Sequence, residues 1–89
     1  MLNTSYYYFS FDKTSISHGK TMSDDDVLQI RDDSFPIGEV KRIFMDRGFT
    51  IAINNVIEIR KDQYKELLEE KEYEVEKYEY KDYEGIYLV

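Results

Sequence analysis

The stretch Arg47–Arg60, RGFTIAINNVIEIR, decides how the rest of the chain is read. Phe49, Ile51, Ile53, Val56, Ile57 and Ile59 fall within eleven residues, and Asn54-Asn55 separates the two halves. β-Branched residues dominate, which favours strand, and Asn tolerates the positive φ of a two-residue hairpin turn. The spacing predicts two strands, Phe49–Ile53 and Val56–Arg60, paired as a hairpin. Such a hairpin does not stand alone. Each buried side chain gains about 1.5–3 kcal/mol, while each ordered residue costs about 1–2 kcal/mol of chain entropy. Other elements must cover it, so this segment is expected to form the centre of the core.

Working upstream, Ile37, Val40, Ile43, Phe44 and Arg47 follow helical spacing. Pro36 suits the start of that helix, and Gly48 suits the position just past its end. A strand over Glu39–Met45 is the alternative; helix is preferred. Ser23 can form a capping box with Asp26, and Asp24, Asp25 and Asp26 suit the positive end of a helix dipole. A short helix over Asp24–Arg31 is therefore expected. Lys13–Met22 reads as a polar loop carrying the single histidine, His18. Ser5–Asp12, SYYYFSFD, reads as an aromatic strand with Tyr7, Phe9 and Phe11 toward the core and Tyr6, Tyr8 and Ser10 away from it.

Downstream, Asp62 can cap a helix with Tyr64, Leu67 and Leu68 facing inward, ending near Lys71. Glu72-Tyr73-Glu74-Val75-Glu76 then alternates as a strand, and a bulge at Glu76-Lys77 would carry it to Tyr80. Continuing the helix to Tyr78 is the alternative, but it stacks Glu66, Glu70 and Glu74 as like-charge neighbours. Asp82–Gly85 reads as a turn and Ile86–Val89 as a final strand. The expected class is α+β in one domain, residues 1–89. It comprises a small antiparallel sheet of four to five strands, with two to three short helices packed on one side.

Composition narrows the function classes. Eighty-nine residues suffice for one core. The absence of cysteine excludes a disulfide scaffold and any thiolate metal site. The N-terminal MLNTSYYYFSF has neither the basic region nor the aliphatic run of a signal peptide. No apolar run approaches the roughly 20 residues that cross a bilayer. A soluble, cytoplasmic protein is expected, in the host cytoplasm if it is phage-encoded. The net charge is −7, unevenly placed: residues 62–89 hold ten acids against four lysines. Residues 36–61 are mildly basic, and Lys41, Arg42, Arg47, Arg60 and Lys61 read as ordinary surface cations. Such a chain is repelled by nucleic acid and anionic membrane and attracted to basic protein surfaces.

Catalytic motifs do not survive inspection. Gly19-Lys20-Thr21 resembles the end of a phosphate-binding loop, but Thr14 stands where that pattern needs glycine, and the Asp triplet follows. Arg47-Gly48-Phe49 matches the opening of an RNA-recognition signature, yet Ile51 replaces its stacking aromatic. His18 has no partner nucleophile in sequence, and the carboxylates are too numerous for an acid and base pair to stand out. No enzyme activity, cofactor or metal is expected.

The segment that stands out is the acidic, tyrosine-rich C-terminal part. Glu66, Glu69, Glu70, Glu72, Tyr73, Glu74, Glu76, Tyr78, Glu79, Tyr80, Asp82, Tyr83 and Glu84 are its candidate protein-binding residues. Duplex DNA carries one charge per roughly 3.4 Å of each strand, while alternate strand residues stand about 6.6 Å apart. The Glu72, Glu74, Glu76 row alone is half that dense, and neighbouring acids could bring it close. In this profile the chain resembles the small acidic inhibitors that bacteriophages direct against host nucleic-acid enzymes, anti-CRISPR proteins and other DNA mimics among them. The resemblance implies a protein-binding inhibitor whose partner is a basic nucleic-acid-binding protein, with no direct contact to nucleic acid or membrane. The alternatives are a self-associating structural or regulatory module, with homo-oligomers through strand edges, and a small-ligand-capturing protein.

Overall fold

The computed structural model describes residues 4–31, 34–71, 76–80 and 83–88, the last two segments as backbone with the side chains of Ile86 and Leu88. In chain order the elements are β1 (Ser5–Ser15), β2 (Thr21–Ile30), α1 (Ile37–Asp46), β3 (Phe49–Ile59), α2 (Lys61–Lys71), β4 (Glu76–Tyr80) and β5 (Tyr83–Leu88). The strands form an antiparallel sheet in the order β3-β1-β2-β5-β4. The class is α+β, an antiparallel sheet with two helices, as the sequence implied.

The main core lies on one face of that sheet. Tyr7, Phe9 and Phe11 point into it from β1, as their alternation dictates, joined by Leu28 and Ile30 of β2 and Ile86 and Leu88 of β5. Helix α1 closes this face with Val40, Ile43 and Phe44, whose spacing puts them on one stripe. The Phe11 and Phe44 rings stand 4.9 Å apart and the Phe9 and Phe35 rings 5.1 Å apart. Gly48 follows α1 at φ +90° and its amide donates to the Met45 carbonyl at 2.9 Å, so a left-handed residue ends the helix where expected.

The loop expected over Lys13–Met22 narrows to residues 16–20, because β1 runs to Ser15 and β2 starts at Thr21. Four larger expectations also need correction. The hairpin within 49–60 does not form: Phe49–Ile59 is a single strand at the edge of the sheet, only half buried. Asn54 is where its register shifts. Phe11 pairs with Ile53 and Ser10 with Asn55, leaving Asn54 as the extra residue of a β-bulge. The bulge explains a change of phase: Phe49, Ile51 and Ile53 reach the core on odd positions, Val56 on an even one. Deleting Asn54 keeps every flanking pair, so the variant is expected to melt within about 1 kcal/mol of the parent. A loss of several kcal/mol in urea unfolding would show that Asn54 is not the surplus residue.

Second, Asp24–Arg31 is not a helix; Thr21–Ile30 is strand β2, paired with β1 along its length and with β5 near its end. The consecutive residues Asp26, Val27 and Leu28 are all buried because both faces of β2 are covered there. Third, the helices do not share a side. Tyr64 of α2 packs on Tyr6, whose side chain points opposite to Tyr7 and Phe9, with ring centroids 5.0 Å apart. Val27, fully buried, belongs to this second, smaller layer. Fourth, the C-terminal boundaries move. Helix α2 ends at Lys71 as expected, but β4 and β5 pair with a register shift between Tyr78 and Tyr80 in place of Glu76-Lys77, and β5 begins at Tyr83 inside the expected turn. The strand residues expected at 72–75 lie outside the described residues.

Candidate functional site

Helix α2 and the sheet face beneath it form the site. Arg60 caps the helix: its amide donates to Gln63 Oε1 at 3.0 Å, and its carbonyl accepts from the Tyr64 amide at 3.0 Å. Asp62, expected as the cap, lies in the first turn instead, where a carboxylate suits the dipole. Its ion pair with Arg60 Nε is exposed on both sides and contributes little. Tyr64 is the one residue that α2 buries, which leaves Leu67 and Leu68 half-covered.

The far end of α2 is fixed electrostatically. Lys71 Nζ donates to the Asp25 carbonyl at 2.9 Å and to Asp25 Oδ1 at 2.5 Å, while Tyr8 Oη donates to Asp25 Oδ2 at 3.0 Å. The Lys71 hydrogen bond, helped by Tyr8, holds the Asp25 carboxyl below its ordinary range despite its partial burial. Burial pushes Lys71 down, but the bond to Asp25 and the charges of Asp25, Asp26 and Asp24 outweigh it and leave Lys71 raised. Donation to the same carboxylate pushes Tyr8 up.

The signs define a pH window. Asp25 adds stability above its unfolded pKa of about 3.8, and this is lost as pH falls through its lowered folded value. Lys71 adds stability below about 10.5, and this is lost as pH rises through its raised folded value. Lys71→Met is therefore expected to cost about 1 kcal/mol at neutral pH, the low end because nearly half of Asp25 faces water. Thermal melts across the pH range should be flatter at both extremes than the parent's. An unchanged acid limb would exclude the pair as the fastening of α2.

Between α2 and β3 lies an open groove of about 320 Å³, lined by Tyr8, Ile59, Gln63, Glu66, Leu67 and Glu70. Its floor is apolar and its helix side is acidic, since Glu66 and Glu70 stand one turn apart and are exposed. The floor runs on to Ile57, directly opposite Tyr8 in the ladder and 47% exposed. On the same face, toward β2, a shallower recess is lined by Tyr8, Ser10, Ser23, Asp24 and Asp25. Its acids are partly offset within the chain, by Lys13 on Asp24 at 3.0 Å and by Lys71 on Asp25.

Of the expected binding residues, the structure brings Glu66, Glu69 and Glu70 together as exposed side chains of α2. Glu76, Tyr78, Glu79 and Tyr80 are on β4, and Tyr83 and Glu84 are on β5; their side chains lie outside the described residues. Glu72, Tyr73, Glu74 and Asp82 lie outside them altogether. Tyr8, Ile59, Gln63 and Leu67 line the groove without having been expected there. The alternation that sends Tyr8 away from the core was a legible signal for one of them; the approach of α2 was not.

The weaker motifs find other uses. Gly19, at φ +67°, turns β1 into β2, and a strand follows where a phosphate loop needs a helix. His18 is exposed in that turn, its amide donating to Ser15 Oγ at 3.3 Å. Of the segment Arg47–Ile53, residues 47–48 link α1 to the edge strand β3 and residues 49–53 are its first half. Among the described residues no three metal-ligating side chains cluster, and no helix is long and apolar enough to cross a membrane. No known family model, curated protein or solved structure matches the chain.

Proposed function

We propose that this chain is a non-enzymatic binding protein that engages a basic surface on a nucleic-acid-binding partner and thereby inhibits it, in the manner of a phage-type DNA mimic. The observation that carries this reading is the exposure of Glu66, Glu69 and Glu70 on one helix, two of them beside an apolar groove. A net charge of −7 supports it by raising the encounter rate with a cationic surface. The apolar floor supplies what charge alone lacks, because area that is desolvated on contact, more than exposed ion pairing, slows release. The proposed binding residues also include Glu76, Tyr78, Glu79 and Tyr80 of β4 and Tyr83 and Glu84 of β5.

The test compares the parent with Glu66→Lys/Glu69→Lys/Glu70→Lys as bait in a cell extract, with salt-step elution and mass spectrometry. The parent is expected to retain basic nucleic-acid-binding proteins that salt releases, and the variant to lose at least tenfold of that material. Equal retention by both proteins, at equal melting temperature, would remove the reading.

A further inference from the structure

The two edges of the sheet are protected differently. Among the described residues β4 is five residues long, and its sequence carries Glu76, Lys77 and Glu79, charges of the kind that keep an edge from pairing with other strands. β3 is eleven residues long, FTIAINNVIEI, with Glu58 as its single charge and neither proline nor lysine. Its outer side has no strand partner among the described residues. The bulge at Asn54 is its one deterrent, and it leaves Val56–Ile59 a regular ladder beside the groove.

We propose that the free edge of β3 accepts an extended segment of the basic partner as an added strand, placing a lysine or arginine of that segment in the groove beneath α2. This rests on the basic partner proposed above and says how it would be held. Main-chain hydrogen bonds along β3 supply affinity, and side chains at alternate positions supply selectivity. A residue of the added strand opposite Ile57 or Ile59 has its Cβ about 4.5–5.5 Å from theirs and projects from the same face. There a long cationic side chain lays its aliphatic stem over Ile59 and Leu67 and brings its head to Glu66 and Glu70. On the other face Glu58, opposite Tyr7 and exposed, offers a second carboxylate along the same edge. The edge thus has acid on both faces near its Val56–Ile59 end, which selects a cationic segment over a second copy of this chain.

The test uses a fluorescent peptide of about twelve residues alternating lysine with threonine and valine, long enough to match β3. Binding is read by anisotropy at low salt. The parent is expected to bind it, and to bind at least tenfold more weakly when alternate backbone amides are N-methylated or glutamate replaces lysine. Glu66→Lys/Glu70→Lys should lose tenfold or more at unchanged melting temperature, and so should Ile57→Lys, which places a charge on the edge itself. Failure of the parent to bind overturns the proposal, as does equal affinity for the N-methylated peptide or no effect of either variant. In those cases retention of basic proteins from extract, lost in the triple glutamate variant, would still support the function proposed above. Sedimentation that finds a dimer dissolved by Ile57→Lys would assign the edge to a second copy and also overturn the proposal.

Discussion

Replacing Phe9 with alanine is expected to lower stability by about 3–5 kcal/mol, the range for emptying a buried aromatic site. Phe9 is fully buried and packs between Phe11, at 5.3 Å ring to ring, and Phe35, at 5.1 Å. In the ladders it stands opposite Asp26 on one side and Val56 on the other, so its neighbours are held by backbone pairing and cannot collapse inward. A domain of this size has roughly 5–15 kcal/mol to lose, and each kcal/mol moves the midpoint by about 4–8 °C. The variant should melt on the order of 15 °C or more below the parent, or not fold. Phe9→Leu, which keeps most of the volume, should recover more than half of the loss. A loss under about 1 kcal/mol on urea unfolding of Phe9→Ala would contradict the packing on this face.

Tyr64→Ala should have the second-largest effect and a different character. Tyr64 is 4% exposed and is the one residue that α2 buries, against Tyr6 on the face away from the main core. Its removal is expected to cost about 3 kcal/mol and to release α2 before the sheet melts. Far-ultraviolet circular dichroism should then show early loss of helix, while amides of β1 and β2 stay protected from hydrogen exchange. Because the groove depends on α2, binding by Glu66 and Glu70 should fall together with the helix signal. Simultaneous loss of sheet protection would mean that the two layers melt as one unit.

What the sequence disclosed follows from where information is local. The inward set Tyr7, Phe9 and Phe11 and the stripe Val40, Ile43 and Phe44 were legible because alternation and helical spacing each leave one apolar face. Gly48 was legible because a helix end needs positive φ at that point. The Asp24–Asp26 run was not. Acids behind Ser23 suit a helix start whenever only near neighbours are weighed, and here distant strands, β1 and β5, claim the backbone of β2. With Val27 and Leu28 both buried, no period-two pattern remained to argue for strand. At Asn54-Asn55 a turn and a bulge leave the same trace, a slip of apolar phase across two polar residues. Only the pairing with Ser10 and Phe11 separates them. Of the site, the acids of α2 were readable from composition, whereas Lys71 on Asp25 joins residues 46 apart in sequence.

The place of β5 beside β2 bears on the expected order of assembly. Joining β1 to β2 closes a short turn at Gly19, and joining β3 to β1 needs only that β2 and α1 be spanned. Pairing Leu28 with Leu88 instead closes a loop of sixty residues, the costliest closure among the described strand pairs. Until it happens, Leu28 and Ile30 keep one flank open to water, whatever the rest of the chain has achieved. Completion of the hydrophobic interior is thus delegated to its C-terminal strand, and in refolding the amides of Ile86 and Leu88 are expected to gain protection last.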